Sequence, residues 1–213
     1  MKRQDCKKSE ENEKLKLQYE EDRFLWKAMK AGDPLALKKI FNKYYADLFF
    51  YGSKLEGNKD KSPDTIQDLF ANIWENRKKI KDVVYLKAYL FTSLRNNLLK
   101  TYTKDIIDRS STDGGENSDF NFDISPEEIY LDNETIAENV RIIEELLVKL
   151  SPKQKEIIYL KFYGNYSNSE ISEIISIKQQ SVANLLARTI KTLQKEQNER
   201  KFPFLNVLIS GLL

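Results

Sequence analysis

At 213 residues the chain is long enough for one large domain or two small ones, and modules of roughly 60 to 80 residues lie near the lower limit of cores that fold alone. With 7 Gly and 5 Pro, no His and the single cysteine Cys6, the composition favours helix and excludes imidazole base catalysis, Cys/His zinc sites and an intrachain disulfide. The net charge of +2 conceals segregation: residues 23–104 hold 17 basic against 8 acidic side chains, 105–139 hold 11 acidic against Arg109 alone, and 140–201 hold 11 basic against 7 acidic.

Two cationic modules joined by an anionic strap point to a protein that meets a polyanion at two places. The first 22 residues form a charged N-terminal extension without a signal-peptide pattern, and no run reaches the roughly 20 apolar residues of a membrane span. A cytoplasmic, all-α protein of two small helical domains is expected.

Helix starts follow one formula, a Ser or Asp cap, Pro at the first helical position, and an acid or amide soon after. Asp33-Pro34, Ser62-Pro63-Asp64, Ser125-Pro126-Glu127-Glu128 and Ser151-Pro152-Lys153-Gln154 all fit. Within residues 23–104 the apolar periodicity predicts four helices. Their stripes are Phe24, Leu25, Ala28 and Met29; then Leu35, Leu37, Ile40, Phe41, Tyr44, Tyr45, Leu48 and Phe49; then Ile66, Leu69, Phe70, Ile73 and Trp74; then Tyr85, Leu86, Tyr89, Leu90, Leu94 and Leu98.

Residues 105–133 read as an acidic linker, Asp/Ser/Asn/Gly-rich and aperiodic up to about Phe122, so a flexible domain boundary is expected there. In the second module, residues 134–198, one helix is expected around Ile136, Val140, Ile143, Leu146 and Leu147, and another from Gln154 to Phe162. Ser167-Asn168-Ser169-Glu170 is a capping box that opens a short helix with Ile171, Ile174 and Ile175. A brief turn at Ser176-Ile177 and a further helix with Val182, Leu185, Leu186, Ile190 and Leu193 complete a helix-turn-helix pattern. Residues 199–213 form an apolar tail too short to cross a bilayer; a docked terminal helix and a contact with a membrane surface or partner are both open.

With those motifs in place, the chain resembles the sigma-70 family of bacterial RNA polymerase initiation factors, in its small two-domain, extracytoplasmic-function type. The resemblance spans residues 23–104 and 140–196. Ala31-Gly32-Asp33 with Phe41 and Tyr44 looks like the family's opening helices, Asp64 to Phe70 with Ile73 to Arg77 like its polymerase-binding helix, and Lys87 to Asn96 like its promoter-melting segment. Leu150 to Gln154 and the helix-turn-helix look like the module that reads the upstream promoter element.

The resemblance implies core RNA polymerase and promoter DNA as partners, an anti-sigma factor as a regulator, and no cofactor or small-molecule substrate. Asp64, Gln67, Asp68 and Trp74 would make or support the polymerase contact, since Asp and Gln can hydrogen-bond basic and amide groups; Phe70 and Trp74 are equally read as core. Asn96 would capture a flipped base of the downstream element, while Arg95, Lys87, Lys100 and Lys104 would hold phosphates of the melted strand and Ile80 to Val84 would shape the base pocket.

Lys178, Gln179, Gln180, Ser181 and Asn184 would face the upstream element, with Arg188 and Lys191 on its backbone, because Gln and Asn can pair bidentately with adenine. The sequence departs from the family's pattern at Ser176, where Gly is common, at Lys178, where Ser or Thr usually caps, and at Ala183 and Leu185, where relatives often carry Lys and Arg. The acidic strap would follow the RNA exit path, or serve as a plain solubilising tether.

Two rival readings are a stand-alone helix-turn-helix regulator and a helical adaptor or anti-sigma-like interaction protein. An enzyme is disfavoured: Asp64 and Asp68 are one helical turn apart, but no second acidic cluster or phosphate-binding Gly loop accompanies them.

Overall fold

A computed structural model describes residues 2–56, 62–109, 145 and 147–200, with side chains described at 13, 16–55, 62–100, 145 and 147–195. Among the described residues there are seven α-helices and no strand: α1 (Lys2–Lys30), α2 (Pro34–Glu56), α3 (Ser62–Asn76), α4 (Leu86–Arg109), α5 (Pro152–Phe162), α6 (Asn168–Ile174) and α7 (Gln179–Arg200). The chain divides into two compact units, the first built on α1 to α4 and the second on α5 to α7. Outside the described residues lie the Ser125 cap, the strap beyond Arg109, nearly all of the helix expected around residues 136–147, and the tail from residue 201.

In the first unit, α1 ends because Gly32 adopts φ +102°, a left-handed conformation that glycine reaches without a Cβ penalty. Its N–H bonds Met29 O at 2.9 Å and the next N–H, of Asp33, returns to Ala28 O at 3.1 Å. Asp33 then starts α2, its Oδ1 accepting from the Leu35 N–H at 2.8 Å. The core is assembled from one face of each helix: Leu25, Trp26 and Met29; Ala36, Ile40, Tyr44, Leu48 and Tyr51; Ile66, Leu69, Phe70 and Ile73; Leu86, Leu90, Phe91, Leu94 and Leu98. Each fully buried side chain of this size removes enough apolar area to contribute about 1.5–3 kcal/mol.

Edge-to-face ring pairs join these elements, Trp26 with Tyr89 at 5.4 Å and Phe41 with Phe70 at 5.0 Å. Phe24 and Leu35, expected in apolar stripes, are instead exposed (72% and 66%). The inward face of α1 is set by Asp22, Leu25, Trp26 and Met29, which turns Phe24 outward. Helix α1 also runs straight through the residue-22 boundary at which the patterned module begins, and α4 continues to Arg109, past the onset of acidic charge at Asp105.

The second unit opens on two capping boxes. The Ser151 N–H donates to Gln154 Oε1 at 2.9 Å while Ser151 Oγ accepts from the Gln154 N–H at 3.3 Å. Ser167 and Glu170 repeat the pattern at 2.9 and 3.2 Å. Leu147, Leu150, Ile157, Leu160, Tyr166, Ile171, Ile174, Ile175, Val182 and Leu186 form the core, with α5 and α6 both packed on α7.

Candidate functional site

The turn between α6 and α7, Ile175–Lys178, carries Ser176 at φ +54°, the left-handed position for which the sequence pattern of relatives favours Gly. The turn closes through Ile177 N–H to Ser172 O at 3.1 Å, and α7 begins with the Ser181 and Val182 N–H groups on Lys178 O at 2.8 and 3.1 Å. Lys178 supplies only its carbonyl there, because an ammonium cannot accept from an orphan N–H.

Helix α7 is sharply two-sided. Val182, Leu186 and Thr189 are buried, and this fixes the rotation of the helix, so that Lys178, Gln179, Gln180, Ser181, Asn184, Arg188 and Lys191 are all exposed. The amide row is mutually ordered, Gln180 Nε2 donating to Asn184 Oδ1 at 3.3 Å. Gln194 and Lys195 extend the exposed face beyond the residues singled out from sequence. Near the end of α6, Glu173 has its carboxyl pushed up by burial and then by the neighbouring Glu170 charge.

In the first unit, α3 separates its roles equally well. Ile66, Leu69, Phe70 and Ile73 are buried, and Asp64, Gln67, Asp68 and Glu75 are exposed on the opposite face. Phe70 is therefore core, at 5% exposure. Trp74 is half-buried, with the Arg77 guanidinium 4.2 Å from its ring centroid and Arg77 Nη1 donating to the Trp74 carbonyl at 2.7 Å. Arg77 was not singled out as a site residue, although a Trp and an Arg three apart on a helix is a legible signal.

The basic set on α4 divides. Asn96 and Lys100 are exposed one turn apart, Arg95 is half-buried, and the side chain of Lys104 lies outside the described residues. Lys87 is mostly covered, with its Nζ 3.1 Å from Asp47 Oδ2 and 5.9 Å from the Phe91 ring centroid. Its charge is thus matched within the unit by a residue of α2.

Nearby, α1 and α2 share a polar cluster. Asp22, 3% exposed, accepts from Lys43 Nζ at 2.8 Å and from the Tyr44 hydroxyl, while Lys43 also reaches Glu21 at 2.6 Å. Burial and then the Asp22 hydrogen bond push the Tyr44 hydroxyl far above its usual pKa. For Lys43, burial pulls downward, but the hydrogen bonds to Asp22 and Glu21 win and the pKa is raised.

The loop between α3 and α4 is rich in exposed cations, Lys78, Lys79 and Lys81, and carries Val84, 79% exposed, just before its last residue Tyr85. Asp82 in this loop pairs with Lys30 of α1 at 2.6 Å, and that ammonium holds its carboxyl below the usual range. Among the described residues no group of three or more His, Cys, Asp or Glu could hold a metal ion, and no helix is long and apolar enough to cross a membrane.

Three comparisons bear on this arrangement. The family model described as Sigma-70, region 4 matches residues 141–193, which include α5, the turn and most of α7. The extracytoplasmic-function (ECF) RNA polymerase sigma factor SigL of Mycobacterium tuberculosis is 23% identical over 169 residues, 77% of this chain and 90% of that protein. Among solved structures, CnrH in complex with the cytosolic domain of CnrY aligns with a TM-score of 0.56 at 16% identity, covering 84% of this chain and 98% of that one. The sigma factor RpoE of Bartonella quintana, bound to the anti-sigma factor NepR, aligns with a TM-score of 0.52 at 21% identity, covering 74% and 94%. The two structures show the same helical fold, while the region 4 match over residues 141–193 and the alignment with SigL over 77% of the chain make it similar to sigma-70 family factors of the extracytoplasmic-function type.

Proposed function

We propose that the chain directs RNA polymerase to specific promoters and helps open the duplex, using binding energy alone and no chemistry of its own. The observation that carries this reading is the exposed polar row at the start of α7, Gln179, Gln180, Ser181 and Asn184, followed by the cations Arg188 and Lys191 one and two turns on. Amides at the entrance of a helix can read base edges in the major groove, and the cations behind them suit the flanking phosphates.

In the same reading residues 23–104 form the module that meets polymerase and the downstream element, and residues 134–198 the module that meets the upstream element. The face of α3 with Asp64, Gln67 and Asp68, backed by Trp74, is the polymerase contact. Asn96 takes a flipped base and Lys100 and Arg95 take phosphates. Lys87 is assigned a smaller share, because its ion pair with Asp47 must be exchanged before it can serve DNA. The chain works in the cytoplasm, where polymerase and promoter are, and an anti-sigma factor holds it in reserve, as CnrY and NepR accompany the two structural neighbours.

Run-off transcription with core polymerase and promoter-bearing DNA tests the whole. Transcripts that depend on the chain, and open complexes that Asn96→Ala removes while polymerase binding persists, are expected. Specific duplex binding without polymerase, and no effect on initiation, would instead favour a stand-alone regulator.

A further inference from the structure

The α3–α4 loop is held in two different ways. Its first half is fastened to its own helix, with the Lys79 and Ile80 N–H groups on Asn76 O at 2.8 and 3.1 Å. Its second half, residues 81 to 84, donates no backbone hydrogen bond among the described residues. Helix α1 supplies what is missing there. Lys30 Nζ reaches Asp82 Oδ1 at 2.6 Å across 52 residues of sequence, and the Tyr19 ring meets the Tyr85 ring edge-on at 5.4 Å.

Those two ties fall on either side of Val84, which is left 79% exposed, with Lys78, Lys79 and Lys81 exposed just before it. A bare aliphatic side chain beside three cations has no reason of its own to hold a single position. Pinning both flanks removes most of the loop's freedom before any partner arrives, which lowers the ordering cost of binding.

We infer that α1 is a splint for this loop, with Lys30 and Tyr19 as positioning residues that fix where Val84 and the loop cations meet promoter DNA. The inference rests on the promoter-opening reading above. It assigns a role to the part of α1 before residue 23, which the patterned module leaves out, and it requires neither Lys30 nor Tyr19 to touch DNA.

The test is open-complex formation by the chain with core polymerase, read by a fluorescent base analogue in the downstream element. As simple surface charges, Lys30→Glu would weaken and Asp82→Lys would strengthen contact with DNA. As a splint, both reversals slow opening by about threefold or more, and the double variant Lys30→Glu/Asp82→Lys recovers most of the loss, the signature of a coupled pair. Tyr19→Ala slows opening and Tyr19→Phe, which keeps the ring, does not.

Polymerase affinity stays unchanged in all five variants, since none lies on the exposed face of α3. Opposite signs for the two reversals, or a double variant no better than the singles, would overturn the splint while the promoter-opening reading stands. A wild-type chain that opens no promoter with core polymerase refutes that reading and the splint with it.

Discussion

Arg77 lies with its guanidinium 4.2 Å from the Trp74 ring centroid and donates to the Trp74 carbonyl at 2.7 Å, so one side chain both closes the C-terminal end of α3 and covers its aromatic residue. The last carbonyls of a helix have no partner within it, and a cation there also suits the helix dipole. Arg77→Ala is expected to cost about 1–2 kcal/mol in urea unfolding. Acrylamide quenching should rise as well, and with Trp26 only 2% exposed the added quenching reports Trp74.

Gly164 follows α5 where the chain folds back under Tyr166. A Cβ at this position would stand 2.2 Å from the Tyr166 ring and 2.9 Å from the Leu160 carbonyl oxygen. Tyr166 is 2% exposed and has no room to withdraw. Gly164→Ala should therefore destabilise the second unit by about 1–3 kcal/mol, seen as a lower denaturation midpoint.

Ser176 occupies a left-handed backbone conformation at φ +54°. Replacing it by Gly removes the Cβ conflict but adds freedom to the unfolded chain, and the first effect is the larger. Ser176→Gly should raise stability by about 0.5–1 kcal/mol in chemical denaturation, leaving the exposed row of α7 in place.

Asn184 and Arg188 stand one turn apart on the exposed face of α7 but have different proposed duties. In promoter binding by the holoenzyme, Arg188→Ala should weaken all sequences alike and reduce the salt slope by about 1. Asn184→Ala should cost about 1–3 kcal/mol on the preferred upstream sequence and relax the choice of base at one position. Neither should alter folding stability by more than about 0.5 kcal/mol.

The cluster of Asp22, Lys43 and Tyr44 sets an alkaline limit. Both Lys43 and Tyr44 have pKa values raised above their ordinary values of 10.5 and 10.0, so the folded state favours their protonated forms. The stabilisation is complete below about pH 10 and is lost as pH rises further, because the unfolded chain releases these protons first. A stability profile for Lys43→Met with Tyr44→Phe should be flatter than wild type above pH 10 and lower below it.

The sequence makes local devices legible and long-range ones not. The two capping boxes at Ser151 and Ser167 are visible because both partners lie within one turn, and the exposed row of α7 follows from the positions of Val182 and Leu186. Lys87 illustrates the opposite: its ion-pair partner Asp47 is on another helix, and no spacing rule connects them. Trp26 is hard to read as core from the sequence because Phe24 offers a competing apolar register, and only packing against Tyr89 decides between the two. Lys30 and Asp82 likewise meet only after α1 and the loop have been brought together.

The buried carboxylate of Asp22 also governs how the first unit can be trimmed or transplanted. A fragment cut at residue 23, where the apolar stripe begins, would keep Lys43 and Tyr44 yet discard the acid both of them grip, stranding a half-covered ammonium and a desolvated phenol. Chimaeras that borrow this unit should carry the stretch from Leu17 onward with it.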